Sequence, residues 1–392
     1  MSLSTLFLLF FTFFLQLRAL QSSTVHQNHS KHIHHGGTSL GSPSSSPVAS
    51  PNPNSPPPLV PALFVFGDSS VDCGTNNYLG TFARADLVPY GRDFDTHAPT
   101  GRFCNGRIAV DYLALRLGLP FVPAFLGQGG TVEDMIHGVN FASASAGIIF
   151  SSGSELGQHI SLTQKIQQAM DTFDQFILNL GEEAATDIIS KSVFYLSIGS
   201  NDFIHYYLRN VSRVQSLYLP WSFNQLLVTT VKQDLKLVQR KCQENCGDGL
   251  APIGCAPHYL WQYNTKNGEC VEEINDLVME FNFSMRYMVE ELSKELVDEK
   301  IIFCDVYEGS MEIMKNREHY GFEVTTDACC GIGPHRGWIM CLSPQMACDN
   351  ASTHHWWDQF PPTDAVNEIL ADNVWSSQHM NMCYPMNLQD MI

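Results

Sequence analysis

The stretch Leu63-Phe64-Val65-Phe66-Gly67-Asp68-Ser69 decides the fold. Four apolar residues in a row are typical of a short buried strand, and the glycine that follows permits a tight turn. Open α/β sheets place their sites at the carboxyl ends of strands, where the hydroxyl of Ser69 would stand. The stretch therefore predicts a presented serine nucleophile. It is also consistent with an ordinary strand-to-helix turn in which Asp68 or Ser69 caps the helix.

The chain that follows alternates strand and helix patterns. Apolar runs at 193–198 and 301–306 have the length and composition of strands in a parallel sheet that is covered on both faces. Apolar residues at three- and four-residue spacing predict helices between and after these strands. Alternation of this kind predicts a doubly wound α/β domain over 61–392. The clearest helical segments are 162–180, which a glycine at 181 would end, 277–292 and 365–374.

The N-terminus has the features of a secretory leader. Residues 6–17 are almost wholly apolar, which is too short for a membrane span but typical of a signal-peptide core. We therefore interpret 1–21 as a signal peptide, with an uncleaved anchor as the alternative because no Lys or Arg precedes the apolar run. No later segment reads as a transmembrane helix, so we expect no stable membrane insertion.

A linker is predicted between the leader and the domain. Ser, Pro, His, Asn and Gly dominate residues 22–60, a composition that cannot bury enough apolar surface to offset its ordering entropy. Its five histidines at positions 26–35 could bind a metal ion, but a solvated polar tail is the favoured interpretation because the segment has no fixed geometry.

Cysteine content and charge narrow the class of protein. Twelve cysteines in a chain with a leader favour disulfides, and Cys242 and Cys246 lack the second ligand pair that a zinc site needs. No metal or cofactor is therefore predicted. The net charge of −18 makes nucleic acid a poor candidate for a partner. Sequons offer N-glycosylation candidates at Asn28, Asn210, Asn282 and Asn350.

Candidates for most parts of a serine esterase follow in order along the chain. Such an enzyme needs a nucleophile, a base, a group that orients the base, and donors for the oxyanion. Asn201 follows the strand at 193–198 and could aim its amide at an oxyanion, Gly147 could offer a backbone N–H, and Asp358 precedes the last helix. Taken singly, each residue also has an ordinary structural interpretation: Asn201 as a turn residue, Gly147 as a helix-packing glycine and Asp358 as a buried cap.

Taken together, six blocks of sequence resemble the plant GDSL esterase/lipase family, a branch of the SGNH hydrolases. The resemblance implies a three-layer α/β/α sandwich with a central parallel sheet. It also implies that Ser69 is the nucleophile, that Ser69 N–H, Gly147 N–H and the Asn201 side chain form the oxyanion hole, and that Asp358 orients the base. The blocks are Phe66-Gly67-Asp68-Ser69-Ser70-Val71-Asp72, Pro99-Thr100-Gly101-Arg102-Phe103, Asn105-Gly106-Arg107, Gly199-Ser200-Asn201-Asp202, Gly254-Cys255-Ala256-Pro257 and Cys329-Cys330-Gly331.

The chain departs from the family pattern at the catalytic histidine. The family's last block runs Asp-x-x-His-Pro-Thr, and here Pro361 stands in the histidine position after Asp358. Proline has no titratable group and cannot take the serine's proton. In a subtilisin-type triad, loss of the histidine costs on the order of 10⁶ in kcat. His354 or His355 could replace the base if the segment were a mobile loop, but we interpret both as rim histidines.

A second departure precedes the block at Gly254. Relatives carry an apolar strand there, whereas residues 240–248 read Arg-Lys-Cys-Gln-Glu-Asn-Cys-Gly-Asp, which we predict cannot form a buried parallel strand. The two departures suggest relaxed constraint or an error in the gene sequence. Two main hypotheses follow: a secreted, extracellular ester hydrolase that acts on a small-molecule, lipid or cell-wall ester through acyl-Ser69, or a relative that binds such ligands without turnover. A poorly folding product is the third alternative.

Overall fold

The computed structural model describes residues 57–209, 213–238, 244–296 and 299–392. The predicted signal peptide, most of the predicted linker, and the residues Cys242, Asn28 and Asn210 lie outside this part of the chain. Of the linker, residues 57–60 are described, and Val60 is buried against the domain. All described residues belong to one compact unit, which spans Pro56–Ile392.

A five-stranded sheet forms the centre of this unit. Its first four strands are parallel, and a short antiparallel strand completes one edge. The three strands predicted from apolar runs are confirmed, each to within a residue or two at its ends. In spatial order the strands are β1 (Leu63–Gly67), β2 (Val193–Ser197), β3 (Glu244–Asp248), β4 (Lys300–Cys304) and β7 (Cys383–Tyr384), while β5 (Val324–Ala328) and β6 (His354–Trp356) form a separate parallel pair.

Strand β3 corrects the prediction that residues 240–248 cannot form a buried strand. It pairs with β2 and β4 over its length, so its backbone groups are satisfied although its side chains are mostly polar. Cys246 is buried, and Gly247 has no side chain that must be packed. Asp248 accepts a hydrogen bond from the hydroxyl of Tyr195 at 2.5 Å. Two flanking strands and one polar partner thus stabilise a segment whose composition alone is unfavourable for a strand.

Helices cover both faces of the sheet, as expected for a doubly wound fold. The long helix predicted at 162–180 is confirmed, with Ser161 as its N-cap and Gly181 at its C-cap with φ of 87°. The helices are α1 (Ala109–Arg116), α2 (Val132–Met135), α3 (Leu162–Leu180), α4 (Glu182–Ser190), α5 (Val214–Leu217), α6 (Pro220–Val238), α7 (Pro257–Gln262), α8 (Glu272–Glu295), α9 (Val306–Lys315), α10 (Asp364–Ser376) and α11 (Leu388–Met391).

Alternate residues of the central strands supply two separate cores. Phe64 and Phe194 face the layer that contains α3, α6 and α8, and their rings lie 5.2 Å apart. Val65 and Tyr195 face the opposite layer, which contains α1 and α10. The three-layer α/β/α sandwich predicted from the family resemblance is therefore confirmed. No helix in the described ranges has both the length and the apolar character that a membrane span requires.

Four disulfides account for eight of the cysteines. The pairs are Cys255–Cys270, Cys304–Cys383, Cys329–Cys348 and Cys330–Cys341, while Cys73, Cys104 and Cys246 are buried free thiols. The bond from Cys304 joins β4 to β7 and so attaches the C-terminal segment to the sheet.

Two of the four predicted glycosylation sites can be located. Asn282 is 1% exposed, and its amide bonds the backbone of Leu250 in both directions. A glycan cannot be accommodated there in the folded domain, which corrects that candidate. Asn350 is exposed at the start of a short helical turn, so it stays a candidate.

Candidate active site

The loop after β1 is held by hydrogen bonds to its neighbours. The N–H of Asp68 donates to the carbonyl of Ser197 at 3.0 Å, and Oδ1 of Asp68 accepts from both the N–H and the hydroxyl of Ser70 at 2.9 Å. Asp68 is buried, whereas Ser69 is half-buried. The turn thus presents Ser69 at the carboxyl end of β1, where the sequence predicted it.

A second loop, residues 143–149, lies against the first and carries Gly147. The N–H of Ser143 donates to the carbonyl of Gly67 at 3.1 Å. Asn201, which follows β2, donates from Nδ2 to the carbonyl of Ala146 at 2.9 Å. The amide of Asn201 carries a second N–H, which is free for another acceptor. The structure therefore brings the loops of Ser69, Gly147 and Asn201 together at one edge of the sheet.

Asp202 shapes the Gly147 loop. Its carboxylate accepts from the N–H groups of Ile148 at 2.7 Å and Ile149 at 2.9 Å and from the hydroxyl of Ser152 at 2.6 Å. Burial raises the pKa of Asp202 to about 6, despite these donors. A Cβ at Gly147 would lie 2.6 Å from both carboxylate oxygens. Glycine is therefore required by the close approach of Asp202.

Asp358 is buried, and every described partner of its carboxylate lies outside the Ser69 loop. Oδ1 accepts from the N–H groups of Cys341 at 3.0 Å and Gln359 at 2.8 Å, and Oδ2 accepts from the hydroxyl of Tyr90. Burial raises its pKa to about 6, an effect that these donors oppose. In this chain the carboxylate that would orient a histidine is thus held by a tyrosine and two amides.

Pro361 closes the turn that begins at Asp358. Its carbonyl accepts from the N–H of Trp357 at 2.9 Å, and it is half-buried. The turn then continues to Thr363, whose N–H donates to the carbonyl of His355 at 3.0 Å. The backbone is therefore well anchored on both sides of Pro361, which we predict to occupy the family's histidine position, and the proline side chain carries no proton acceptor.

The two neighbouring histidines differ in their surroundings. His354 is half-buried, and its Nδ1 lies 3.2 Å from the hydroxyl of Thr353. His355 is 1% exposed, its Nδ1 has no hydrogen-bond partner, and burial lowers its pKa to about 3. The prediction that His355 lies at the rim is therefore wrong, because the ring packs between Phe322 and Trp356.

A cavity of about 100 Å³ lies beside the serine loop. Its volume is large enough to hold several water molecules. Its walls combine apolar side chains of α9 and α10 with a few polar groups from the carboxyl ends of β1, β2 and β3. Pro361 also lines the cavity, and the polar lining residues include Ser70, Ser197, Ser200, Asp248 and His355.

A buried lysine interacts with three acids near the serine loop. Lys165 of α3 is fully buried, and its ammonium group has no hydrogen-bond partner. Burial lowers its pKa to about 7, while the charges of Asp68, Asp72 and Asp202 oppose this shift. Neither the lysine nor its electrostatic role has a signal in the sequence, where Lys165 occupies one position of an amphipathic helix.

One group of potential metal ligands lies at the carboxyl ends of β3 and β4. The ligand atoms of Cys246, Asp248 and Cys304 lie within 4.8 Å of one another. The sulfur of Cys304 is bonded to Cys383, so only two of the three groups have free donor atoms. Two ligands do not make a structural metal site.

The fold and the loop cluster define a class. A parallel sheet that presents a serine, a glycine loop and an asparagine at its carboxyl edge is the arrangement of an α/β/α ester hydrolase. The chain belongs to the GDSL-like lipase/acylhydrolase family, whose model matches residues 63–374. Members of this family are ester-hydrolysing enzymes, and the recognition made from the six sequence blocks is confirmed.

Relatives from Arabidopsis thaliana match most of the chain. GDSL esterase/lipase At5g08460 is 36% identical over 338 residues, which is 85% of this chain and 88% of the relative. GDSL esterase/lipase 7 is 36% identical over 340 residues, which is 85% of this chain and 92% of the relative. Among solved structures, a catalytic mutant of an acetylxylan esterase from Geobacillus stearothermophilus is similar, with 13% identity, a TM-score of 0.37, and coverage of 80% of this chain and 91% of that one.

Sequence reasoning missed three groups at the site. Tyr90 bonds Asp358, and the charge of Lys165 interacts with Asp68, Asp72 and Asp202. Asp248 bonds Tyr195 on the neighbouring strand. All these contacts exist only in the folded chain. Asp248 lies in the segment 240–248, for which the sequence predicted no buried strand, so its position at a strand end could not be predicted. Asp202 lay inside a motif, but only the structure shows that it bonds the Gly147 loop.

Proposed function

We propose that this chain is a secreted GDSL-type serine ester hydrolase whose turnover through acyl-Ser69 is strongly impaired. In the unimpaired reaction, Ser69 would attack a carboxylic ester, and Ser69 N–H, Gly147 N–H and the Asn201 amide would stabilise the oxyanion. A base would remove the serine's proton, and water would then release the acid. The chain retains candidates for every part except the base.

The single observation that carries this proposal is Pro361. The position lies in a turn that is anchored by the backbone bond from Trp357, next to a buried Asp358. A proline there supplies no proton acceptor, and neutral serine is a weak nucleophile without one. Loss of the histidine in a serine triad costs on the order of 10⁶ in kcat, or about 8 kcal/mol.

Neither neighbouring histidine has the properties of a replacement base. His355 borders the cavity, but an imidazole with a pKa of about 3 has little affinity for a proton. No carboxylate orients it, since its Nδ1 has no hydrogen-bond partner. His354 bonds Thr353 instead. These contacts favour impaired turnover over a substituted triad.

A second candidate function is ligand binding without turnover. It is favoured by the cavity beside Ser70, which combines apolar walls with a few polar groups. Binding in such a cavity requires no catalytic base, so Pro361 would not prevent it. The ligand class would be the same: a small-molecule, lipid or cell-wall ester. Secretion is supported by the apolar leader at 6–17 and by four disulfides, which persist in oxidising compartments.

Restoring the histidine tests the proposal. We would measure hydrolysis of a p-nitrophenyl ester by the full chain, by Pro361→His, and by each with Ser69→Ala added. The proposal expects a rate gain of several orders of magnitude in Pro361→His that disappears with Ser69→Ala. Wild-type turnover equal to that of active relatives and abolished by Ser69→Ala would overturn it. Tight binding of an ester by the wild type, with no gain in Pro361→His, would support the second candidate.

A further inference from the structure

Two buried polar atoms without partners border the cavity beside the serine loop. They are Oδ1 of Asp248, a residue 8% exposed, and Nδ1 of His355, a residue 1% exposed. Buried polar groups are nearly always hydrogen-bonded, so two unpaired atoms on residues that line one cavity indicate a place for a small polar molecule. Water is the molecule that an ester hydrolase needs in addition to its substrate.

Asp248 is placed to act on such a water molecule. It ends β3, and its Oδ2 accepts from the hydroxyl of Tyr195 at 2.5 Å, which fixes the carboxylate and leaves Oδ1 available. The hydroxyl of Ser197 also interacts with this carboxylate, and it lies 3.0 Å from the hydroxyl of Ser70. Hydroxyl groups therefore connect Asp248 to the residue that follows Ser69.

We propose that Asp248 is a general base for water in this cavity, so that the chain hydrolyses small esters slowly without an acyl-Ser69 intermediate. The inference rests on the proposed function only in that the ester binds at the same edge of the sheet. A water oxygen bonds the ester carbonyl carbon as one water proton passes to Oδ1 of Asp248. The tetrahedral oxyanion collapses, the bond to the alkoxide breaks, and the alkoxide takes the proton back from Asp248.

The protonation behaviour of the cavity fits this role. Burial raises the pKa of Asp248 to about 7, and the hydroxyls of Tyr195 and Ser197 oppose the shift. The other titratable residues that border the cavity are Tyr195, whose pKa is raised, and His355, whose pKa is lowered to about 3. Cys246, on the same strand, has its pKa raised by burial. Asp248 is thus the one group in the cavity that changes charge near neutral pH, where a general base is most effective.

Residual hydrolysis of p-nitrophenyl acetate by the full chain tests the inference. We expect Asp248→Asn to lower the rate by about 10²-fold, the size of a general-base contribution. Glu299→Gln is the matched control, because Glu299 also has an unpaired buried oxygen and a pKa raised to about 6, but it precedes β4 at the opposite end of the sheet. Its rate should equal that of the wild type.

Tyr195→Phe gives a second, independent measurement. The rate should rise with pH through the pKa of Asp248, and loss of the phenol should move that midpoint to higher pH while the limiting rate stays similar. A merely structural role for Asp248 would change the rate but leave the midpoint in place. This variant also decides the matter if Asp248→Asn does not fold.

Three outcomes would overturn the inference: a wild-type rate abolished by Ser69→Ala, a rate unaffected by Asp248→Asn, or no wild-type rate above that of buffer. Only the first of them also bears on the main proposal, and only where that wild-type rate equals the rate of active relatives. Otherwise the main proposal is decided by the gain in Pro361→His and its loss on adding Ser69→Ala.

Discussion

The hydroxyl of Tyr90 donates a hydrogen bond to Oδ2 of Asp358, 268 residues along the chain. Tyr90 packs in a small core with Trp357 and the disulfide Cys330–Cys341, and Asp358 also accepts a hydrogen bond from the N–H of Cys341. With Pro361 in place of histidine, Tyr90 is the only described side chain that bonds this carboxylate. Asp358, the aspartate that we predict to orient the base, therefore has a structural partner in Tyr90.

Tyr90→Phe should reduce stability more at pH 8 than at pH 5. The carboxylate of Asp358, with a pKa of about 6, is charged at pH 8 and needs its donors, whereas the protonated acid at pH 5 does not. We expect a loss of about 1–3 kcal/mol in the free energy of unfolding at pH 8. Urea unfolding at both pH values measures it, and a loss that is larger at pH 5 would contradict the assignment.

Gly147→Ala should strain the loop that faces Ser69. The added Cβ would lie 2.5 Å from Cβ of Ser152 and 2.6 Å from the oxygens of Asp202, so one of them must move. We expect a loss of about 1–3 kcal/mol in stability, as for overpacking, and a lower rate in the Pro361→His background. Gly247→Ala is the control, because its Cβ would meet only a carbonyl at 4.0 Å. Equal losses of stability in Gly147→Ala and Gly247→Ala would show that the close approach of Asp202 does not require glycine at position 147.

Lys165→Met should stabilise the protein most at lower pH. The folded-state pKa of about 7 lies below the ordinary value of 10.5, so the wild type releases a proton on folding between these values and gains stability as pH rises. The advantage of the methionine variant should therefore shrink by about 2–3 kcal/mol between pH 8 and pH 10. Asp72 and Asp202, whose pKa values are raised to about 6, are charged in that window.

Unfolding free energies of the two proteins at pH 8, 9 and 10 measure this difference. The exposed Lys191, which pairs with Asp187 on the surface, supplies the control Lys191→Met. If the stability of Lys165→Met relative to the wild type increased with pH, the pKa of Lys165 would not be lowered in the folded state.

Loss of the disulfide between Cys304 and Cys383 should destabilise the fold more than loss of Cys330–Cys341. The first closes a loop with a sequence separation of 79 and the second one of 11. In the chain-entropy model these contribute about 4–5 and about 3 kcal/mol. Paired Cys→Ser variants, compared by chemical denaturation, check the order; the reverse order would indicate that the unfolded chain retains structure around β4 and β7.

The central sheet shows how far composition predicts structure. Strands β1, β2 and β4 were predictable because apolar runs in a doubly wound sheet must be buried on both faces. Strand β3 was not, because its stability comes from backbone pairing with two neighbours and from the bond between Asp248 and Tyr195, which no local pattern contains. The sequence of α3 and its terminal glycine predicted both ends of that helix.

The candidate site also has features that the sequence predicted and features that only the structure shows. The run from Leu63 to Ser69, together with its companion motifs, was sufficient to predict the family and the fold, because these depend on residue identity and order. The absence of a catalytic histidine at Pro361 stays a prediction. Only the tertiary structure decided the contacts of the candidate site residues and of the cavity beside the serine loop. Tyr90 bonds Asp358, Asp202 bonds the Gly147 loop, and Asp248 reaches the cavity because folding brings together strand ends that are far apart in the chain. Their burial, and hence their pKa values, exist only in the packed domain.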